Sequence, residues 1–100
     1  MPTNVSTDLL RTVLALARLR SYTKTAQALG VTQPAISAQM RRLQLSFSYD
    51  IFDKSAAGVR FTPRGKEMLR QAQKIIDIND QLLEVADHAS RSVERLKRQG

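Results

Sequence analysis

The second half of the chain carries an apolar seam too long for a small domain to cover. After Thr62-Pro63, an N-cap residue followed by proline at the first helical position, Met68, Ala72, Ile75, Leu82, Ala86, Ala89, Val93 and Leu96 recur in alternating steps of four and three. Asn79 fills the one gap in that register, and Leu69, Ile76 and Leu83 add a second stripe beside it. The spacing predicts a single helix from Pro63 to beyond Val93. Such a seam needs a partner helix, and a second copy of the chain is the economical one. The alternative is a helix packed back over its own domain. A polar residue at a packed position often fixes register, so Asn79 is expected to pair across the dimer, and Asn79→Leu to stabilise but blur the assembly. An exposed Asn79 is the competing reading.

At 100 residues the chain has room for one small domain and its core. Hydrophobic residues at 42% and charged residues at 25% are ordinary for a soluble globular domain, and no run is long enough to span a bilayer. The start, Met1-Pro2-Thr3-Asn4-Val5-Ser6, lacks the basic and apolar regions of a signal peptide. There is no cysteine, which removes disulfides, thiolate metal sites and a thiol nucleophile. A cytoplasmic location fits, with no membrane association and no cofactor.

Charge narrows the class further. Residues 1–66 hold ten basic side chains against three acidic ones, whereas residues 67–100 balance six against six. The whole excess of +7 therefore lies in the first two thirds. A polyanion is a natural partner, because each neutralised phosphate releases condensed counterions. A solvated basic surface is the plain alternative.

The first two thirds read as three short helices. Thr7 is the expected N-cap of the first, with Asp8 behind it, and Leu10, Val13, Leu14 and Ala17 form one face up to Leu19 or Arg20. Thr23 is the expected cap of a second helix through Lys24, Ala26 and Leu29, and Gly30 suits a left-handed C-cap. Thr32 caps a third, in which Pro34 is tolerated in the first turn and Ile36, Met40 and Leu43 face the core. Two helices joined by a tight glycine-containing turn make a helix-turn-helix. Ile51-Phe52-Asp53 and Val59-Arg60-Phe61, separated by Ser55-Ala56-Ala57-Gly58, are expected to form a small two-stranded wing.

On the third helix, the face opposite the core carries Pro34, Ala38, Arg41 and Arg42, flanked by Gln33 and Ser37. It is cationic, small-sided and able to hydrogen-bond, as a helix in a major groove requires. Arg pairs with guanine O6 and N7, Gln with adenine, Ser with several edges, and Ala38 suits a thymine methyl. A solvated face would have the same composition.

The linear motif is more specific. Ser21-Tyr22-Thr23-Lys24-Thr25-Ala26-Gln27-Ala28-Leu29-Gly30-Val31-Thr32-Gln33-Pro34-Ala35-Ile36-Ser37 resembles the amino-terminal signature of LysR-type transcriptional regulators, S-F-T-x-A-A-x-x-L-x-V-[ST]-Q-[PS]-A-[LIV]-S. The resemblance continues through Gln39, Arg41-Arg42-Leu43, Ile51-Phe52-Asp53-Lys54 and Phe61-Thr62-Pro63-Arg64-Gly65, covering about residues 7–90. It implies an all-α winged helix-turn-helix, three helices plus the wing, over residues 1–62. A long linker and dimerisation helix then follows over residues 63–97. It implies a homodimer presenting two recognition helices to two half-sites in double-stranded promoter DNA. Thr32, Gln33, Pro34, Ser37 and Arg41 match positions that contact bases or phosphates, and Thr23, Ala35, Ala38, Arg42 and Arg64 extend that expected surface. Lys54, Arg60 and Thr62 match positions at the wing and its exit, where the open amides of the long helix also favour a phosphate. Met68, Ala72, Ile75, Asn79, Leu82 and Ala86 are the expected dimer contacts. Family members carry an effector-binding domain after this helix. The hundred residues are therefore expected to be a fragment or a shortened regulator without an effector site.

Three departures mark the chain. Ala38 stands where the family often has Arg, which shifts dependence onto Arg41 and onto DNA shape. The wing tip Ser55-Ala56-Ala57 lacks a frequent Arg. Gln44-Leu45-Ser46-Phe47-Ser48-Tyr49 replaces an acidic stretch ending in Leu-Gly, so the third helix is expected to end differently, near residue 47.

Catalysis finds no support. His88 stands alone, Asp50 and Asp53 have no cationic or histidine partner in the sequence pattern, and Ser37 has no histidine to activate it. No phosphate-cradling glycine loop or metal-ligand spacing is present. Two binding alternatives stay open: a protein-interaction module with an incidental basic face, and an architectural protein that binds DNA without sequence preference.

Overall fold

A computed structural model describes residues 4–99, with side chains as far as Val85 in the last helix. The elements in order are α1 (Thr7–Leu19), α2 (Tyr22–Leu29), α3 (Gln33–Leu45) and α4 (Pro63–Gln99). No helix among the described residues is long and apolar enough to cross a membrane.

Helix starts follow side-chain capping, in two cases from a residue earlier than expected. Ser6, not Thr7, caps α1: its hydroxyl accepts from the Leu9 amide at 3.2 Å, which puts Asp8 in the first turn against the helix dipole. Ser21, not Thr23, caps α2 by accepting from the Lys24 amide at 3.1 Å. In both places two hydroxyl residues compete for one cap, and the one in extended backbone takes it. Thr23 is left inside the first turn with its hydroxyl free for another partner. Thr32 caps α3 as expected, accepting from the Ala35 amide at 3.3 Å.

The ends of α1 and α2 are set by left-handed residues. Gly30, at φ 69°, closes α2 in a Schellman arrangement, with its amide on Gln27 and the Val31 amide on Ala26 at 3.0 Å. Arg20 ends α1 at φ 54°, an unfavourable conformation for a residue with a Cβ.

The core is built from every element. Leu9, Leu10, Val13 and Leu16 of α1 meet Ala26 of α2 and Ile36, Met40 and Leu43 of α3. Ile51 and Phe61 come in from the wing, and Met68, Ala72 and Ile76 from α4. One polar link lies within this core and another on its exposed margin. The buried Thr12 hydroxyl lies 2.6 Å from Gln39 Oε1 and 3.0 Å from the Asp8 carbonyl oxygen, tying α1 to α3. At the surface, Arg11 Nη2 meets Asp80 Oδ1 at 2.6 Å, joining α1 to α4.

Between α3 and α4 the chain forms a wing much shorter than two strands. One antiparallel bridge pairs Phe52 with Phe61, whose rings lie 5.0 Å apart. The Asp53 amide reaches the Arg60 carbonyl oxygen at 2.8 Å, and the Thr62 amide reaches that of Ile51 at 3.1 Å. Pairing stops there because Asp53 Oδ1 takes the Ser55 amide at 3.0 Å and its hydroxyl at 2.6 Å, closing an Asx turn straight after the strand. Helix α3 ends at Leu45, and Gln44 then holds the loop that follows. Its Nε2 donates to the Tyr49 carbonyl oxygen at 2.7 Å, and its Oε1 accepts from the Ile51 amide at 2.9 Å.

Candidate nucleic-acid interface

Helices α2 and α3 form the helix-turn-helix, and the three-residue turn Gly30–Thr32 delivers the N-terminal end of α3 to the surface. Ile36, Met40 and Leu43 anchor α3 in the core, so its orientation follows from burial of one face. The opposite face exposes Gln33, Pro34, Arg41 and Arg42, with Ala35, Ser37 and Ala38 half-buried. Gln33, Pro34, Ser37 and Arg41 line one open cleft of about 420 Å3. Ser37, Ala38, Arg41, Arg42 and Lys54 share a second cleft with Phe52, between α3 and the wing. Six of the expected contact residues thus converge on two adjoining depressions, and Lys54 joins them from the wing.

The electrostatics suit an anionic partner. Among the described residues, neither Arg41 nor Arg42 makes a salt bridge, and Lys54 makes only a loose exposed one to Asp50 at 3.8 Å. At the wing, hydrogen bonds from Ser55 hold the exposed Asp53 carboxyl below its ordinary range, with a smaller contribution from Arg60. That anion belongs to the turn and leaves the cationic excess of the face intact.

Other expected residues are placed differently. The Thr62 hydroxyl donates to the Asp50 carbonyl oxygen at 2.6 Å and accepts from the Gly65 amide at 3.0 Å, so its one hydrogen is already engaged. At the start of α4, Pro63 has no N–H, Gly65 is capped, and the Lys66 amide goes to the Thr62 carbonyl oxygen at 2.8 Å. Thr62 holds the wing to α4 and has no hydroxyl hydrogen left for a phosphate. The Arg64 guanidinium lies over the Tyr49 ring, 5.3 Å from its centroid. Neither cleft includes Arg60 or Arg64. Thr23 reaches across the turn, its hydroxyl 3.3 Å from Gln33 Oε1.

The seam of α4 divides in two. Met68 and Ala72 lie in the chain's own core, as does Ile76 from the second stripe. This corrects their assignment to a partner helix, because the first turns of α4 pack on α1. Farther along, Ile75, Ile78, Leu82, Leu83 and Val85 are exposed, with Asn79 half-buried beside them. Ile78 and Val85 were not in the expected seam, although 75, 78, 82 and 85 share the three-and-four spacing of a helical stripe. The Ala86 contact and His88 lie outside the residues whose side chains are described, as do Ala89, Val93 and Leu96.

Comparison with known proteins agrees with this architecture. Residues 7–66 match the family described as "Bacterial regulatory helix-turn-helix protein, lysR family". Among curated proteins, the chain is 36% identical over 84 residues to the HTH-type transcriptional regulator BudR of Klebsiella aerogenes, covering 84% of this chain and 59% of BudR. It is also 36% identical over 78 residues to the HTH-type transcriptional regulator PecT of Dickeya dadantii, covering 78% of this chain and 25% of PecT. The chain therefore spans little more than half of one relative and a quarter of the other. Among solved structures, a BenM DBD/catB site 1 DNA complex matches with a TM-score of 0.80 at 24% identity, over 86% of this chain and 97% of that one. Vibrio fischeri DarR in complex with DNA matches with a TM-score of 0.77 at 26% identity, over 88% of this chain and 30% of DarR. The chain belongs to the lysR family of bacterial regulatory helix-turn-helix proteins, and residues 7–66 are its DNA-binding helix-turn-helix domain.

Proposed function

We propose that the protein binds a specific double-stranded DNA site as a homodimer and, through that binding, controls transcription. Residues 1–62 read the DNA and residues 63–97 form the linking helix. The observation that carries this reading is the outward face of α3. Gln33, Pro34, Ser37 and Arg41 line an open cleft at the exposed start of a helix whose other face is locked in the core. Small side chains at Pro34, Ser37 and Ala38 let the backbone approach a groove floor. Gln33 and Arg41 supply hydrogen bonds to base edges, and Arg42 and Lys54 meet phosphates. A chromosomal partner implies a cytoplasmic location.

Dimerisation is supported by the apolar stripe of Ile75, Ile78, Leu82 and Val85, which is 49–68% exposed in the single chain. Full burial of such side chains contributes roughly 1.5–3 kcal/mol each, enough together to hold two helices. A two-fold dimer then presents two copies of α3 to two half-sites.

The reading is tested by affinity for a duplex from the protein's own upstream region against a random duplex, over a salt series. Tighter binding to the first, with log K falling about 0.9 per phosphate against log salt, is expected. Equal salt-dependent binding to both would assign an architectural role, and no binding to either would leave a protein-interaction module.

A further inference from the structure

Gln33 is the one amide on the outward face at the start of α3, and a glutamine amide is ambiguous as a reader of bases. Its oxygen accepts and its nitrogen donates, and rotation about the last bond exchanges them. In this chain one end of the amide has a partner within the protein. The Thr23 hydroxyl, in the first turn of α2, donates to Gln33 Oε1 at 3.3 Å across the helix-turn-helix. Ser21 caps α2, so the Thr23 hydroxyl is not drawn to the helix amides. Pro34 follows Gln33 directly and stiffens the backbone that carries it. The Gln33 side chain is exposed and borders the open cleft it shares with Pro34, Ser37 and Arg41.

Resting on the DNA-reading function proposed above, we propose that Thr23 is a specificity-determining positioning residue. It holds the Gln33 amide in one orientation, so that Gln33 selects adenine over guanine at one base pair of each half-site. The chemistry is direct. In the orientation the structure has, one lone pair of Oε1 is taken by Thr23, the other stays open, and Nε2 carries two free N–H groups. Nε2 then donates to a purine N7, and Oε1 accepts from the adenine N6 amino group. Guanine places its O6 acceptor against Oε1 instead, and the two oxygens repel. Without the hydroxyl the amide turns freely and can offer Nε2 to both N7 and O6 of guanine, which relaxes the choice. Thr23 makes no base contact in this scheme and acts through Gln33 alone.

The test compares wild type, Thr23→Val, Thr23→Ser, Gln33→Ala and the Thr23→Val/Gln33→Ala double variant. Each is titrated against duplexes in which every base pair of a selected half-site is varied. Valine keeps the shape and β-branching of threonine at an exposed helical position, and serine keeps the hydroxyl. Thr23→Val is expected to lower the adenine-over-guanine ratio by about fivefold or more at the single base pair where Gln33→Ala also abolishes it. Thr23→Ser keeps the ratio, and the double variant behaves as Gln33→Ala does. The circular dichroism spectrum and Tm of Thr23→Val stay close to those of wild type, which a loss of folding would not allow. An unchanged ratio in Thr23→Val, or a change at a base pair that Gln33→Ala leaves alone, overturns the proposal while the DNA-reading function stands. Wild type that shows no base preference anywhere overturns both.

Discussion

Gly65 lies so close to the wing that a Cβ on it would sit 2.1 Å from the carbonyl oxygen of Ile51. No side chain fits there, because the obstacle is backbone, and the Ile51 oxygen already accepts the Thr62 amide at 3.1 Å. Gly65→Ala must therefore move α4 away from the wing, at a cost of about 1–3 kcal/mol. Thermal unfolding should show a clear fall in Tm, whereas Gly58→Asn, in open space but at φ 76°, should lower it less. An unaltered Tm in Gly65→Ala would mean that α4 is not seated on Ile51 as described.

The link between Thr12 and Gln39 makes a second prediction. Thr12→Val preserves shape but removes the hydroxyl that meets Gln39 Oε1 at 2.6 Å within the α1–α3 contact. The loss should be about 1–2 kcal/mol in urea unfolding, with an unchanged m-value. Equal stability of the two proteins would show that water satisfies Gln39 without help.

The two parts of the α4 seam should respond in opposite ways. Leu82→Glu alters a side chain 65% exposed in the single chain, so the fold should survive and the dimer should not. Sedimentation velocity should find a folded monomer with weakened binding to a two-half-site duplex. Met68→Ala, at a core position, should instead cost about 2–5 kcal/mol of folding stability while leaving the stoichiometry intact. A dimeric Leu82→Glu protein would place the interface elsewhere.

Contacts to phosphates and to bases should separate in the salt dependence. Lys54→Ala should weaken binding to every duplex by a similar factor and lower the salt slope by about 1. Arg41→Ala should cost about 1–3 kcal/mol on the preferred duplex and relax preference at one base pair, since Ala38 provides no second guanidinium beside it. Equilibrium titrations at several salt concentrations read both quantities.

The sequence disclosed the helices more fully than the contacts between them. Pro63 after Thr62, Gly30 after Leu29 and the spacing of Ile36, Met40 and Leu43 each reflect a local rule, and each element stands where that rule put it. Ser6 and Thr7, or Ser21 and Thr23, satisfy the same capping rule, and only the backbone conformation at the cap separates them. The wing looked like two strands because Ile, Phe and Val favour them, but Asp53 closes the turn on itself after one bridge. Arg64 on Tyr49, Gln44 on the loop and Thr23 on Gln33 join separate segments of chain, and no local pattern announces such pairs. Met68 and Leu82 share one periodicity, yet one is covered by the core and the other is bare, because the buried cluster ends on α4 at Ile76.

Selecting bound duplexes from a random pool and sequencing them tests sequence-specific reading of DNA by a two-fold dimer. Enrichment of an inverted repeat is expected, with half-sites on one face of the duplex about one helical turn or a multiple apart. A pool that stays random after selection, or one that yields a lone half-site with no repeat, would contradict it.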